Sequence, residues 1–151
     1  MRLLAFHELI NEPQMFAEIA SASVPGPLGR ATGLVGAYAR TYASLRFGAG
    51  SDEAAATARA KITAAMDRLD TELEANGGEY LVGESFSVAD LTAASLFYPL
   101  VSPAEGPVSP DSPTPPALQS FRDGLSDRPG YLWVEEMFRR HRRPAAIAPN
   151  N

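Results

Sequence analysis

Cysteine is absent from this chain of 151 residues, which excludes a disulfide frame, a thiolate nucleophile and a cysteine metal site together. A reducing, cytoplasmic setting agrees with that absence. Histidine is almost as scarce. His7 and His141 are the only two, neither has a partner at ligand spacing, and no metal site is expected. No run approaches the ~18 uninterrupted apolar residues of a membrane span. The segment Met1–Ile10 carries His7 and Glu8 inside its apolar part, with no small-residue cleavage site after it, so it makes a poor signal peptide. Internal repeats and the alternating pattern of a strand are missing too.

What is present is ordinary for a globular domain: 45% hydrophobic and 21% charged residues, with a formal charge of −5. The charge is unevenly spread. Residues 51–128 carry five basic and thirteen acidic side chains, whereas Arg139, Arg140, Arg142 and Arg143 cluster near the end. An acidic middle repels phosphates, which argues against a nucleic-acid groove. The arginine cluster suits a helix C-terminus, where cations offset the macrodipole.

Apolar residues recur at helical spacing along most of the chain. Leu3, Phe6 and Ile10 predict a helix to about Asn11. Pro13 forces a bend, and a second short helix starts at Gln14. Val24–Gly29 reads as a loop. Arg30–Phe47 shows one stripe of Leu34, Ala37, Tyr38, Tyr42 and Leu45, ended by Gly48 and Gly50, in which Tyr38 and Tyr42 suit either a core or a subunit interface. Ser51–Asn76 is the clearest helix. Ser51 is its cap, Ala55, Ala58, Ile62, Met66, Leu69 and Leu73 form its apolar face, and Gly77-Gly78 stop it. Asp67, Asp70, Glu72 and Glu74 on it read as a solvated face. A helix from Ser87 to about Tyr98 has no charge after Asp90, which predicts burial on all sides, with Pro99 helping to end it. Ser102–Pro116, with six prolines, is an ordered loop. Thr114 then caps a helix to about Leu125, and Asp127-Arg128-Pro129 opens the last one, where Val134, Met137, Phe138 and His141 share a face. Residues 1–143 are expected to form one all-α domain, a bundle of five to seven helices, and residues 144–151 a frayed tail.

The best-defined local signal is Phe86-Ser87-Val88-Ala89-Asp90-Leu91. Ser87 can accept the Asp90 N–H while the Asp90 carboxylate accepts the Ser87 N–H, which is a capping box; Phe86 and Leu91 are placed to close as a hydrophobic staple. A Ser87–His141–Asp90 triad can be drawn on paper. It is rejected because the cap already uses Ser87 and Asp90 and no nucleophile elbow exists.

The longer string Tyr80-Leu81-Val82-Gly83-Glu84-Ser85-Phe86-Ser87-Val88-Ala89-Asp90-Leu91 resembles the segment leading into the central helix of the C-terminal domain of cytosolic glutathione transferases. Met66-Asp67-Arg68-Leu69-Asp70-Thr71-Glu72-Leu73 and Arg128-Pro129-Gly130 look like the same family, and Trp133–His141 is similar to a bacterial branch of it. The resemblance covers Ser51–Arg143 well and Met1–Phe47 weakly. It implies a glutathione-transferase C-terminal-like helical bundle that contributes the hydrophobic-substrate side of a site and dimer contacts. In that family a preceding thioredoxin-like domain binds glutathione and carries the Tyr, Ser or Cys that activates the thiol. No βαβ pattern of that kind can be matched within these residues, so no catalytic residue is carried over. No cofactor is expected in this chain, glutathione being a co-substrate only if a thioredoxin-like domain is supplied. The resemblance further implies that Phe6, His7 and Ile10 could face an apolar small molecule; the alternative is that Phe6 and Ile10 are core and His7 is a surface residue. A homodimer is expected, and neither nucleic acid nor membrane is expected as a partner. The competing reading is a non-catalytic module for apolar ligands or dimerisation. The ligand-binding half of a helical transcription regulator fits the helix count but not the Tyr80–Leu91 string.

Overall fold

The computed structural model describes residues 1–26, 31–107 and 112–142. The expected frayed tail, Arg143, and parts of the two loops lie outside the described residues. Among the described residues there are seven α-helices and no strand: α1 (Arg2–Ile10), α2 (Pro13–Ala22), α3 (Thr32–Phe47), α4 (Asp52–Ala75), α5 (Val88–Val101), α6 (Pro116–Asp123) and α7 (Pro129–His141). The chain divides into two compact units, Met1–Ala65 with Pro113–Phe121, and Met66–Ser112 with Arg122–Asn151. None of the described helices is long and apolar enough to cross a membrane.

The first unit is built on short-range breaks. Pro13 occupies the first turn of α2, where its missing N–H costs nothing, so α1 stops at Ile10 and the chain turns at once. Gly48, at φ 64°, ends α3 in the left-handed conformation that glycine adopts without strain. The Ser51 hydroxyl accepts the Ala54 N–H at 3.2 Å and caps α4. Two apolar clusters result. One joins Ile10, Phe16, Ala43 and Ala49; the other joins Leu4, Ala55 and Leu118.

The orientation of α3 corrects the sequence reading. The expected stripe points to solvent, with Leu34, Tyr38 and Leu45 each more than 70% exposed. The helix instead packs through its small residues, Gly36, Ala39 and Ala43. A Cβ added at Gly36 would meet the Ala17 Cβ at 2.7 Å, so α2 and α3 pack backbone to backbone at this point. Close approach over a long contact buried more than a few large side chains could have reached across a wider gap.

In the second unit the helices are fixed by polar devices at their ends. Gly77 and Gly78 both take positive φ, and the Gly78 N–H donates to the Leu73 carbonyl at 2.7 Å, closing α4. Arg128 pairs with Asp67 and Asp70, and the Gly130 N–H donates to Asp70 Oδ1 at 2.6 Å. Asp70 therefore holds the start of α7 from a largely buried position, which corrects its reading as part of a solvated face, whereas Asp67, Glu72 and Glu74 are exposed as expected. Gly130 is required there. A Cβ would lie 2.7 Å from Asp70 Oδ1 and 2.9 Å from both Leu69 Cδ2 and Met66 Sδ. Along α7, Val134 and Met137 are buried, and Trp133 is fixed by its indole N–H to the Glu79 carbonyl at 3.0 Å.

Helix α5 departs from expectation twice. It continues through Pro99 to Val101 and ends at Ser102 with φ 50°. Proline removes only one rung of the ladder, and burial of Leu100 and Val101 offsets it. Nor is the helix enclosed. Val88, Leu91 and Leu96 are exposed, while Ala94, Leu100 and Val101 are buried. Absence of charge marked the helix as apolar without supplying neighbours for every face.

Candidate functional site

The residues proposed to face a ligand from α1 serve the interior of the first unit. Phe6 stacks on Phe47 with ring centroids 4.8 Å apart and planes 5° from parallel. Ile10 belongs to the adjoining cluster. His7 is buried, not a surface residue: its Nδ1 lies 2.8 Å from the Ala49 carbonyl, which can only accept, so Nδ1 carries the proton. Its Nε2 faces Asn11 Nδ2 at 3.3 Å and Asp52 Oδ1 at 3.4 Å. The neighbouring Glu8 is also buried and ion-paired with Arg59 of α4. Sequence reasoning missed this pair. Its one signal was that a carboxylate beside Leu9 and Ile10 on an apolar helix needs a cation.

At the start of α5, the Asp90 carboxylate is fully buried and accepts three hydrogen bonds. Oδ1 takes the Leu81 N–H at 2.7 Å, and Oδ2 takes the Ser87 N–H at 2.7 Å and the Ser87 hydroxyl at 2.6 Å. The reciprocal arrangement of a capping box is present, with an added bond to the preceding turn that the sequence did not reveal. Burial pushes the Asp90 carboxyl up, but the bonds from Leu81 and Ser87 outweigh it and hold the group below its ordinary value. The Ser87 hydroxyl donates directly to Asp90, with no histidine between them. That geometry is a cap, not a triad.

The second unit also holds a cavity of about 300 Å³ between the first turns of α5 and the end of α7. Phe86, Leu91, Ala94, Met137 and Phe138 form its apolar walls, with His141 and Arg142 among its lining. Phe86 and Leu91, the two expected staple residues, line this one groove. The Phe86 ring stacks on His141 with centroids 4.0 Å apart, and Tyr98 stacks on Phe138 at 5.5 Å. The arginines nearby differ in their partners. Arg139 and Arg140 both bind Glu136, whose carboxyl is pushed down to about 2 by their guanidinium groups, and Arg140 also reaches Glu79 at 3.0 Å. Arg142 instead lies 5.8 Å from the Phe138 ring centroid. No group of three His, Cys, Asp or Glu side chains that could hold a metal ion occurs among the described residues.

With seven helices, a capped α5 and an α7 anchored by Arg128 and Gly130 established, the family can be stated. The model of the glutathione S-transferase C-terminal domain matches residues 31–129, more than half of the chain. The chain belongs to that family. In this glutathione S-transferase C-terminal domain the match spans α3 to α6, includes the capping box and ends at Pro129, the first residue of α7. No curated protein and no solved structure matches the chain.

Proposed function

We propose that this chain acts as the helical half of a glutathione-transferase-type protein of the cytoplasm, supplying an apolar wall for the second substrate and contacts for self-association. The observation that carries the reading is the family match over residues 31–129. Thiol activation is assigned to a thioredoxin-like domain, because the polar groups with defined geometry here are spent on structure. Ser87 and Asp90 cap α5, His7 holds Ala49, and Asp70 holds α7. Glutathione is then a co-substrate only in the presence of that domain. The isolated 151-residue chain, given glutathione and a chlorinated aromatic acceptor, is expected to show no turnover above the uncatalysed rate. Clear turnover would overturn the assignment.

A second reading, a non-catalytic dimerisation module, draws support from α3. Its exposed row of Leu34, Tyr38, Tyr42 and Leu45 is an apolar surface of the kind that subunit contacts cover. Light scattering is expected to give a dimer, and Tyr38→Glu a monomer with unchanged helix content. A strict monomer at millimolar concentration would exclude self-association through this row.

A further inference from the structure

We propose that the groove between the first turns of α5 and the end of α7 is a binding site for a small apolar monocarboxylate. It lies wholly within the second unit and involves none of the α1 residues considered above. Three observations point the same way. The walls are apolar and concave, and about 300 Å³ sits at the lower end of the range for small-molecule sites (~300–1,000 Å³). Phe86 and Phe138 are each already stacked, on His141 and Tyr98, so both walls are fixed before any ligand arrives. The third is charge. No carboxylate among the described residues lies within ion-pair distance of Arg142, whereas Arg59, Arg128, Arg139 and Arg140 each hold one.

A guanidinium held over an aromatic face keeps its in-plane N–H donors free, and their fork matches a carboxylate. Arg142 is the one arginine or lysine among the described residues that line the groove, and this suits a monoanion better than a phosphate, which would draw on several cations. The apolar body would lie along Leu91, Ala94 and Met137, with the carboxylate at Arg142.

The test is a titration of the full chain, followed through its backbone amide resonances, with 1-naphthoate, octanoate and the neutral 1-naphthamide. Shifts are expected to concentrate at the amides of residues 86–95 and 137–142, with the carboxylates bound more tightly than the amide. Arg142→Gln is expected to weaken both acids about tenfold and leave the amide unchanged, with Arg142→Lys intermediate. Ser95→Phe, which fills the groove from an exposed wall position, should abolish binding of all three while helix content stays constant. Preference for naphthoate or for octanoate would identify the body as aromatic or aliphatic. Equal binding of acid and amide, acid affinity indifferent to Arg142→Gln, or no shifts in these segments at millimolar probe would each overturn the proposal.

Discussion

Replacing Asp90 with alanine removes one buried carboxylate and the acceptor for three hydrogen bonds. Loss of a helix cap costs ~0.5–2 kcal/mol. The Leu81 N–H is left without its partner as well, and a buried donor in that position costs ~1–3 kcal/mol. Leu81 and Ser87 are only half-buried, so water can recover part of that loss and the expected total is about 3 kcal/mol. Asp90→Asn keeps one acceptor oxygen but turns an NH2 group toward a donor, and should cost roughly 1–2 kcal/mol. Trp133, the sole tryptophan, lies in the same unit and reports urea unfolding by fluorescence. Hydrogen exchange at the Leu81 and Ser87 amides supplies the local readout. The pH dependence has a defined sign. The folded carboxyl sits below its unfolded value of ~3.9, so Asp90 contributes its full stability above that pH and loses it as pH falls through the folded pKa. The gap between wild type and Asp90→Asn should therefore narrow in acid. A cost for Asp90→Ala below about 1 kcal/mol, with Leu81 protection unchanged, would refute this account of what holds the turn before α5.

Other substitutions probe the remaining anchors. Gly130→Ala pushes a methyl into Asp70, Leu69 and Met66 and should destabilise by about 2–3 kcal/mol in chemical denaturation; an effect within 0.5 kcal/mol would mean that these side chains yield freely. Gly36→Ala should force α2 and α3 apart and cost ~1–3 kcal/mol, visible as a lowered melting temperature. Arg59→Ala strands buried Glu8, and because Arg59 is itself about a third exposed the expected loss is about 2 kcal/mol rather than the ~3–5 of a fully buried pair. Recovery of much of that loss in Glu8→Gln/Arg59→Ala would confirm the pairing, and no recovery would contradict it.

The features legible in the sequence are those whose physics is local. Pro13, Gly48 and Gly77-Gly78 mark helix ends wherever they fall, and the Ser87–Asp90 box acts across three residues. The family string could be read for the same reason. What failed depended on neighbours. The apolar count along α3 favoured the side bearing Leu34, Tyr38 and Leu45, but the packed side is set by Gly36 lying against Ala17, a contact that periodicity cannot register. Pro99 looked like a stop because its local cost was visible and the burial of Leu100 and Val101 was not. His7 meets Ala49, and Glu8 meets Arg59, only after residues 42 and 51 positions apart come together. The groove is illegible for a further reason: its apolar residues are ordinary core types, and Arg142 becomes distinctive only beside arginines that have acids.

The Asp90 carboxylate also bears on the order in which the second unit assembles. Its bonds close loops of only three and nine residues, whereas the bond from Gly130 to Asp70 spans sixty. Short closures lose little chain entropy and can form while the rest of the chain is still searching. The turn and first rung of α5 can thus serve as an early template, onto which α7 locks late. Asp90→Ala should then slow refolding, and Gly130→Ala should chiefly hasten unfolding. The reverse pattern in stopped-flow kinetics would put the latch of α7 first.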